Sequence, residues 1–388
     1  MCPAIPRTDP IPEFPNLQLA LNARVRPSPY FESTLEHGVG AVTIYNHMVM
    51  PVHYGGVEAG YHDLTEGVTV WDVGGQRQVE ITGPDAAAFT QYLVTRDIST
   101  IVPGRARYTL VCQDDGGILN DPVLLRLADD HFWLSLADSD ILLWAKGVAH
   151  GSSFDVELGE PDVSPIQVQG PRSIDLVGTL FGELVDGLKF YQFVETDLEG
   201  IPMVVSRTGW SGEHGYEIFL RDGSKGAWLW ERLFSDGEPF GAKAGAPNNI
   251  RRIEAGLLSY GADMNSSMNP IELGLEKFVD LDGPDDFIGK KALEGIVSEG
   301  PARRRIGVIL DGEPIDQSPI RWWPVTVDGE ESGVVTSATW SPGLERNIAY
   351  AILRTDHAVP NITATVHTPV AARQAITTPI PFVGPRYR

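Results

Sequence analysis

The chain has 388 residues, of which 42% are hydrophobic and 21% are charged, a composition typical of a globular protein of two or three domains. Its net charge of −22 argues against nucleic acid and anionic membranes as partners, because both are negatively charged themselves. The 41 glycines and 29 prolines favour turns and β-structure over a helical bundle.

The N-terminal segment, residues 1–20, is rich in proline and is predicted to be a disordered tail. It lacks the charged and then apolar pattern of a signal peptide, and no apolar run in the chain reaches membrane-spanning length. The two cysteines are Cys2, in this tail, and Cys112, so no structural disulfide is expected. These features predict a cytoplasmic protein without a membrane partner.

Two segments in the first half of the chain follow the same order of strand, Gly-Pro and helix. The strand patterns are QVEITG at 78–83 and FDVEL at 154–158, in which apolar and polar residues alternate. The helical patterns are GPDAAAFTQYLVT and GPRSIDLVGTLFG. The second places four apolar residues on one helical face: Ile174, Val177, Leu180 and Phe181. The repeated order predicts two α+β units.

Past about residue 300 the sequence changes from helical to extended patterns. The segments RRIGVIL, SGVVTSATWS and NIAYAIL are typical of short strands separated by turns. The segment SEGPARRR, which precedes them, is predicted to be a linker. The chain is therefore expected to end in an all-β domain.

The motifs of several enzyme classes are absent from the sequence. There is no P-loop, no G-x-G-x-x-G after a strand, no C-x-x-C and no H-E-x-x-H. His47, His53 and His62 are only loosely grouped, so no metal site is expected. In GWSGE, Glu213 stands where the nucleophile elbow of serine hydrolases needs glycine. The pattern indicates a protein that binds two molecules and lets them react with each other.

Six stretches resemble the folate-dependent aminomethyltransferase family, which includes the T-protein of the glycine cleavage system. They are SPYFESTLEHG, VTVWDVGGQRQVEITGPDA, RYTLVCQDDGGILNDPVLL, SRTGWSGEHGYEIFL, RRIEAGLLSYGADM and DFIGKKAL. Within the family, YNHMVMP, AKGVAHGSSFDV and LLSYGAD are more similar to dimethylsulfoniopropionate (DMSP) demethylases. The resemblance implies an α+β fold in which two α+β domains and a C-terminal β-barrel form a ring around a central hole that binds tetrahydrofolate.

The resemblance also implies domains that are discontinuous in sequence. The first α+β domain, which binds folate, is expected to comprise residues 21–65 and 160–260. The second is expected to comprise residues 66–159 and 261–297, and the β-barrel residues 298–388. A monomer or a homodimer is expected.

Three residues are implied to bind tetrahydrofolate by their positions in family motifs. Glu217, in GYEI, matches the acid that recognises the pterin, and a carboxylate can accept hydrogen bonds from the pterin amine and ring N–H; without the motif it would be assigned as an exposed strand residue. Tyr108, in RYTL, matches a tyrosine that lines the folate site, although an isolated tyrosine is more often a core residue. Arg252, in RRIEAG, is predicted to hold the folate carboxylates or to be structural.

Three aromatic residues are predicted to contact the methyl donor. Trp210, in TGWSG, stands where T-proteins commonly have tyrosine, and a tryptophan face is the best side-chain platform for a sulfonium or quaternary ammonium. Trp210 is therefore also predicted to be catalytic, with core filling as the alternative. Phe219 replaces a tyrosine of the DMSP demethylases, and the lost hydroxyl leaves the identity of the donor open. Tyr45, in YNHMVMP, is the third.

Asn120 and Asp121 stand where the T-protein motif GGI-DD has two aspartates, of which the first is taken as critical. Neighbouring strand residues point to opposite faces, so one of the two is expected to meet the substrate. Amine transfer is helped by an acid at the released nitrogen, whereas a sulfonium leaves as a neutral thioether. Asn120 is therefore predicted to be catalytic and to hydrogen-bond the folate, and Asp121 to be structural.

The sequence thus predicts a tetrahydrofolate-dependent methyltransferase whose partners are tetrahydrofolate and a small methyl donor, with DMSP as the leading candidate. Aminomethyl transfer in glycine cleavage is one alternative, which Asn120 is taken to oppose. Another is demethylation of betaine, dimethylglycine or an aryl methyl ether. A third, non-enzymatic alternative is a folate-binding accessory role in iron–sulfur assembly, although the KGCYxGQE-like signature of such proteins is absent.

Overall fold

The computed structural model describes residues 22–387 of the chain. The predicted disordered tail, residues 1–20, and Cys2 lie outside these residues. None of the helices between residues 22 and 387 is both long and apolar enough to cross a membrane.

Residues 22–387 form both strands and helices up to residue 299, and only strands after it. The strands are β1 (Ala41–Tyr45), β2 (Met48–His53), β3 (Thr69–Asp72), β4 (Gln78–Thr82), β5 (Arg105–Tyr108), β6 (Val111–Cys112), β7 (Ile118–Asn120), β8 (Val123–Ala128), β9 (His131–Ser135), β10 (Glu157–Gly159), β11 (Ser164–Gln169), β12 (Phe193–Leu198), β13 (Ile201–Ser206), β14 (Gly215–Leu220), β15 (Lys243–Gly245), β16 (Arg303–Leu310), β17 (Trp323–Val327), β18 (Glu330–Ser341), β19 (Arg346–Arg354), β20 (Thr363–His367) and β21 (Ala372–Thr378). The helices are α1 (Phe31–Glu36), α2 (Val57–Glu66), α3 (Ala86–Leu93), α4 (Ile141–His150), α5 (Ser173–Phe181), α6 (Glu183–Asp186), α7 (Gly226–Gly237), α8 (Asn249–Glu254) and α9 (Lys290–Glu299).

The first unit is a six-stranded sheet with helices packed on one face. Its strand order is β12-β13-β14-β11-β3-β15; β15 runs parallel to β3, and the other pairs are antiparallel. Because side chains alternate along a strand, apolar residues such as Val168 and Ile218 share one face, where they form a core with Trp230 of α7. The opposite face carries Gln167 and Glu217, which are direct partners across β11 and β14.

Two details of this unit differ from the sequence prediction. The strand β3 pairs with β11 and β15 of the first sheet. The domain boundary predicted after residue 65 assigns β3 to the second domain and so separates it from the strands to which it is hydrogen-bonded. In α5, Ile174 is 37% exposed and Leu176 is buried. The face that α5 turns to the sheet is therefore the one that carries Leu176, Val177 and Phe181.

The second unit is a five-stranded antiparallel sheet in the order β10-β4-β9-β8-β5. The predicted strand QVEITG corresponds to β4, and the predicted strand FDVEL overlaps β10. Helix α3, predicted from GPDAAAFTQYLVT, packs with α4 in a core that contains Phe89 and Phe132. The prediction of two α+β units is confirmed.

The third unit is a closed barrel in the strand order β16-β19-β18-β17-β20-β21. Helix α9 ends at Glu299 and β16 begins at Arg303, which confirms the predicted all-β domain after SEGPARRR. Alternation along β19 sends Ala349 and Ala351 into the barrel core. It sends Tyr350 into a different apolar cluster, which the barrel shares with the rest of the chain.

Two apolar clusters pack the three units against one another. Phe219 of β14 and Trp133 of β9 join the two sheets, with their ring centroids 6.2 Å apart. Tyr350 of the barrel packs in one cluster with Ile253 of α8 and Ile118 of β7. Polar side chains from all three units come together beside these clusters.

Candidate functional site

The segment ILNDPVLL does not form one continuous strand. β7 ends at Asn120 and β8 begins at Val123, because Pro122 has no N–H with which to continue a ladder. Asn120 and Asp121 therefore have different surroundings, one at the end of a short hairpin strand and the other in the connection between strands.

Asn120 is fully buried, and its amide is bonded to the protein. Its Nδ2 donates to the carbonyl oxygen of Ala137 at 2.9 Å and to Oγ of Ser139 at 2.8 Å, and its Oδ1 accepts from the N–H of Ala137 at 3.0 Å. Both of its N–H groups are used, so no donor remains for a ligand. The prediction that Asn120 contacts folate does not agree with this placement, because the Asn120 side chain instead holds the turn at 137–139.

This turn also fixes the hairpin that carries Tyr45. The backbone N–H of Asn46 donates to Oδ1 of Asp138 at 2.7 Å, and Nδ2 of Asn46 donates to the carbonyl oxygen of Ala137 at 2.9 Å. Asn46 has a φ of +48°, a left-handed conformation that asparagine tolerates in tight turns. Asn120 thus supports Tyr45 through a chain of hydrogen bonds.

Asp121 is the member of the pair whose side chain keeps an oxygen without a hydrogen-bond partner among residues 22–387. Its Oδ2 accepts a hydrogen bond from the hydroxyl of Tyr108 at 3.0 Å, and its Oδ1 is buried without a partner among residues 22–387. Burial raises the pKa of Asp121 to about 7, and the hydrogen bond from Tyr108 opposes that increase. The prediction that Asp121 is merely structural is not supported, because an unpaired buried carboxylate oxygen costs stability.

Three tyrosines surround this carboxyl group. Burial raises the pKa of Tyr45, Tyr108 and Tyr260, and the charge of Asp121 raises each of them further; for Tyr260 the value is about 12. The phenols are therefore neutral at physiological pH and act as hydrogen-bond donors. A neutral, aromatic and partly apolar wall next to one ionisable carboxyl group suits a small organic cation.

Arg305 of β16 extends from the barrel towards the same place. Its guanidinium lies 5.4 Å from the ring centroid of Tyr350, and its positive charge lowers the pKa of Tyr108. Nη1 donates to the carbonyl oxygen of Gly256 at 3.3 Å, whereas Nε is buried without a partner among the described residues. Burial lowers the pKa of Arg305, but an arginine remains charged at physiological pH.

Glu217 lies on the face of the first sheet that is not covered by helices. It is 5% exposed, and its Oε1 accepts from Nε2 of Gln167 at 2.8 Å. Burial raises the pKa of Glu217, and hydrogen bonds from Thr208 and Gln167 oppose the increase. Tyr191 lies within electrostatic reach of both Glu217 and Tyr108. Glu217 thus lies near the Asp121 cluster and is connected to it by aromatic residues.

Arg252 is bonded to the protein on all sides. It is 1% exposed, forms an ion pair with Asp263, donates to Ser337 Oγ at 2.7 Å and donates to Asn249 Oδ1 at 3.1 Å and the carbonyl oxygen of Leu257 at 3.2 Å. Of the two readings of Arg252, a folate ligand and a structural residue, this geometry agrees with the structural one.

The two other predicted aromatic residues are placed differently from each other. Trp210 is partly buried, its indole N–H donates to the carbonyl oxygen of Leu258 at 3.0 Å, and its ring lies 5.7 Å from the guanidinium of Arg252. Phe219 is 1% exposed and packs against Trp133 in the core between the two sheets. The prediction that Phe219 contacts the donor does not agree with this position, since a hydroxyl at residue 219 would lie in an apolar core.

Sequence reasoning missed Tyr191, Tyr260 and Arg305. Tyr191 has a φ of +63°, and such strain in a residue other than glycine often marks a functional site, but φ is not readable from sequence. Arg305 stands in the run RRR, in which strand alternation shows only that the middle arginine differs in orientation from its neighbours. Their importance follows from contacts that are distant in sequence.

The cluster offers an ionisable carboxyl group, neutral phenols and an unpaired guanidinium. In the part of the chain from 22 to 387, no group of three or more His, Cys, Asp or Glu side chains could hold a metal ion. The arrangement suits the binding and orientation of small polar molecules, with Asp121 as a proton acceptor or as the counter-ion of a cation.

Comparisons with known proteins show which family the chain resembles along most of its length. The family model of the GCVT N-terminal domain matches residues 30–283, and that of the glycine cleavage T-protein C-terminal barrel domain matches residues 303–383. The chain is 41% identical over 351 residues to the dimethylsulfoniopropionate demethylase DmdA of Ruegeria pomeroyi, an alignment that covers 90% of this chain and 95% of that protein. It is 33% identical over 319 residues to an aminomethyltransferase of Streptomyces avermitilis, with 80% and 85% covered.

The fold also matches a solved structure. The glycine cleavage system aminomethyltransferase T of Bartonella henselae superposes with a TM-score of 0.83 at 23% identity, covering 94% of this chain and 99% of that one. This likeness establishes the fold, and the predicted fold class of two α+β domains followed by a β-barrel is confirmed.

Proposed function

Because the chain belongs to the glycine cleavage T-protein (GCVT) family, we propose that it is a tetrahydrofolate-dependent demethylase whose methyl donor is DMSP or a closely related sulfonium. The chain is a transferase that uses tetrahydrofolate as cosubstrate, as its family does. The proposed products are 5-methyltetrahydrofolate and 3-methylthiopropionate. The 41% identity to a DMSP demethylase supports the sulfonium.

The observation that carries the proposal is the state of Asp121. Its Oδ1 is buried and unpaired, and no basic side chain contributes to its pKa. A buried carboxylate without a cation is unfavourable by itself, but a sulfonium bound beside it would supply the missing positive charge. A cationic donor therefore suits this carboxylate better than a neutral one.

The chemistry of methyl transfer also suits these residues. The reaction forms a bond between N5 and the methyl carbon and breaks the bond between carbon and sulfur, whose electron pair stays on the neutral thioether. It also releases the N5 proton, and Asp121, with a pKa of about 7, is suited to accept it at neutral pH. The leaving sulfur needs no acid, and holding the two reactants together supplies a large part of the barrier reduction.

Glu217 is proposed to bind the pterin end of tetrahydrofolate. Its buried carboxylate accepts a hydrogen bond from Gln167 and interacts with Thr208, and a carboxylate has enough lone pairs to accept further hydrogen bonds from an amine and a ring N–H. Replacing Glu217 with alanine should raise the dissociation constant of tetrahydrofolate well over tenfold, since loss of a buried charged hydrogen bond costs about 2–5 kcal/mol. The measurement is a fluorescence titration of folded variant and wild type; an unchanged affinity would remove Glu217 from the site.

Aminomethyl transfer remains a second candidate, and one observation favours it. The carboxyl group in the proposed site belongs to Asp121, so the absence of an acid at residue 120 does not argue against aminomethyl transfer. With a pKa of about 7, Asp121 can also donate a proton to a leaving amine. The aminomethyltransferase of Streptomyces avermitilis is 33% identical to the chain, whereas the DMSP demethylase of Ruegeria pomeroyi is 41% identical to it.

A donor panel separates the two candidates. The protein is incubated with tetrahydrofolate and, in separate reactions, DMSP, glycine betaine, dimethylglycine and vanillate, and 5-methyltetrahydrofolate is measured. A parallel reaction with aminomethylated lipoyl carrier protein tests for methylenetetrahydrofolate. Efficient transfer from DMSP alone supports the proposal. Efficient transfer from the lipoyl carrier, with DMSP inert, would sink it.

A further inference from the structure

Arg305 is a half-buried cation that lacks an anionic partner among the described residues. Of the ion pairs found among residues 22–387, none involves Arg305, and its single hydrogen bond is to the carbonyl oxygen of Gly256 at 3.3 Å. Asp263, the acid that acts on it electrostatically, is already committed to Arg252, Thr336 and Ser337. A half-buried guanidinium in this state is stabilised when a ligand supplies a negative charge.

The neighbours of Arg305 place that negative charge beside the donor. The Arg305 guanidinium lies 5.4 Å from the ring centroid of Tyr350, and Tyr108 packs against the same apolar cluster as Tyr350, within electrostatic reach of Arg305. The same tyrosine donates to Asp121, the carboxylate proposed to face the sulfonium. One tyrosine therefore stands between a lone positive and a lone negative side chain. This arrangement complements a zwitterion that carries its own cation and its own carboxylate.

We propose that Arg305 binds the carboxylate of the methyl donor and so selects zwitterionic onium carboxylates over onium compounds that lack the acid group. The inference rests on the proposed function and adds to it a specificity-determining residue. A guanidinium fits a carboxylate because its N–H groups can form two parallel hydrogen bonds. The carboxylates of folate are the other source of this chemistry, and the test distinguishes the two.

The test compares DMSP with its methyl ester, which keeps the sulfonium and loses the acid. Formation of 5-methyltetrahydrofolate is measured for wild type, Arg305→Gln, Arg305→Lys and Arg304→Gln. Arg304 is the matched control, because it is the preceding residue of the same strand and its side chain pairs with Glu276 at 2.6 Å. Tetrahydrofolate and tetrahydropteroate, which lacks the glutamate, are titrated against each variant.

Wild type should prefer DMSP to the ester by about 100-fold in kcat/KM, the size expected for a buried charged contact. Arg305→Gln should lower kcat/KM for DMSP by at least about 30-fold and kcat/KM for the ester by less than about threefold. Arg305→Lys should recover part of the loss, and Arg304→Gln should match wild type. Retained affinity for tetrahydropteroate shows that a variant is folded; if Arg305→Gln does not fold, the wild-type preference and Arg305→Lys decide.

Three results would overturn the inference. In the first, wild type uses both donors equally. In the second, Arg305→Gln lowers kcat/KM for both donors by the same factor. In the third, Arg305→Gln weakens the binding of tetrahydrofolate and leaves the affinity for tetrahydropteroate unchanged, which would assign Arg305 to the glutamate tail of folate. Transfer from neither sulfonium by wild type is a separate outcome, which contradicts the proposed function itself and the inference with it.

Discussion

Two arginines lie against the aromatic ring of Tyr350, and they differ in their hydrogen bonds and ion pairs. Arg252 is 5.7 Å and Arg305 is 5.4 Å from the ring centroid. Arg252 is held by an ion pair with Asp263 and by hydrogen bonds from all three of its nitrogens. Arg305 has one weak hydrogen bond and an unpaired Nε. The two arginines are therefore distinguished by their partners, since Arg252 has a buried anionic partner and Arg305 has none among the described residues.

The difference extends to the groups around each arginine. Asp263, beside Arg252, is 0% exposed, and both of its oxygens accept hydrogen bonds from side chains. Asp121, near Tyr108 and Arg305, has an unpaired oxygen. A buried polar group without a partner costs about 1–3 kcal/mol. The Arg252 network stabilises the fold, whereas the Asp121 cluster lowers its stability in exchange for a site that a charged ligand can complete.

The largest expected effect comes from Asp121→Asn. It should lower kcat for methyl transfer by about 10³-fold, because the counter-ion and the proton acceptor are both lost. The free energy of unfolding should not fall, since the variant removes a buried carboxyl group that has no cation. Steady-state kinetics and urea unfolding measure the two quantities. A loss of activity below tenfold would contradict the role given to Asp121.

The second effect concerns stability and contrasts the two arginines directly. Arg252→Met should lower the free energy of unfolding by about 3–5 kcal/mol, because Asp263 would be left as an uncompensated buried charge. Arg305→Met should lower it by less than about 1 kcal/mol, because no anionic partner is left behind. Chemical denaturation of both variants tests this. Equal losses would mean that the two arginines do not differ as described.

The third effect is a pH dependence of stability that Asp121 introduces. Its pKa is raised in the folded state to about 7, from the ordinary value of 3.8 for an aspartate, so the folded protein binds more protons than the unfolded chain between these pH values. Stability should therefore fall as pH rises from about 4 to 7, by roughly 2–4 kcal/mol for this group.

The measurement is the difference in unfolding free energy between wild type and Asp121→Asn across this range. Subtracting the variant also removes the contribution of Asp72, whose pKa is raised to about 6 by burial and which is present in both proteins. A difference that does not change with pH would mean that Asp121 titrates normally.

The smallest effect separates Asn120 from its neighbour. Asn120→Ala should lower the free energy of unfolding by about 1–3 kcal/mol, because the N–H and carbonyl groups of the turn at 137–139 lose their partners. The dissociation constant of tetrahydrofolate should change by less than about threefold, since the Asn120 amide has no donor left for a ligand. If Asn120→Ala left stability unchanged and bound tetrahydrofolate more weakly than wild type, Asn120 would again be assigned as a folate ligand.

Most of the fold could be predicted from local patterns in the sequence. The alternation in QVEITG and the helical spacing in GPDAAAFTQYLVT correspond to β4 and α3, and the change of pattern near residue 300 corresponds to the barrel. These elements follow from which face of a strand or helix is apolar, and that property is written in neighbouring residues. The assignment of β3 to the first sheet was not predictable, because it depends on pairing with β11, almost a hundred residues later.

The site was decided by the tertiary structure. The sequence by itself brought Tyr108, Glu217 and the pair Asn120 and Asp121 to attention, but alternation could not show which member of the pair is available to a ligand. The difference between the two residues depends on the turn at 137–139, whose backbone is hydrogen-bonded to the Asn120 amide. In the same way, Arg252 and Arg305 both stand in short arginine runs, and only contacts distant in sequence determine whether a guanidinium is paired. Hydrophobic periodicity is a local property of the chain, whereas the pairing of a buried polar group depends on residues that folding brings to it.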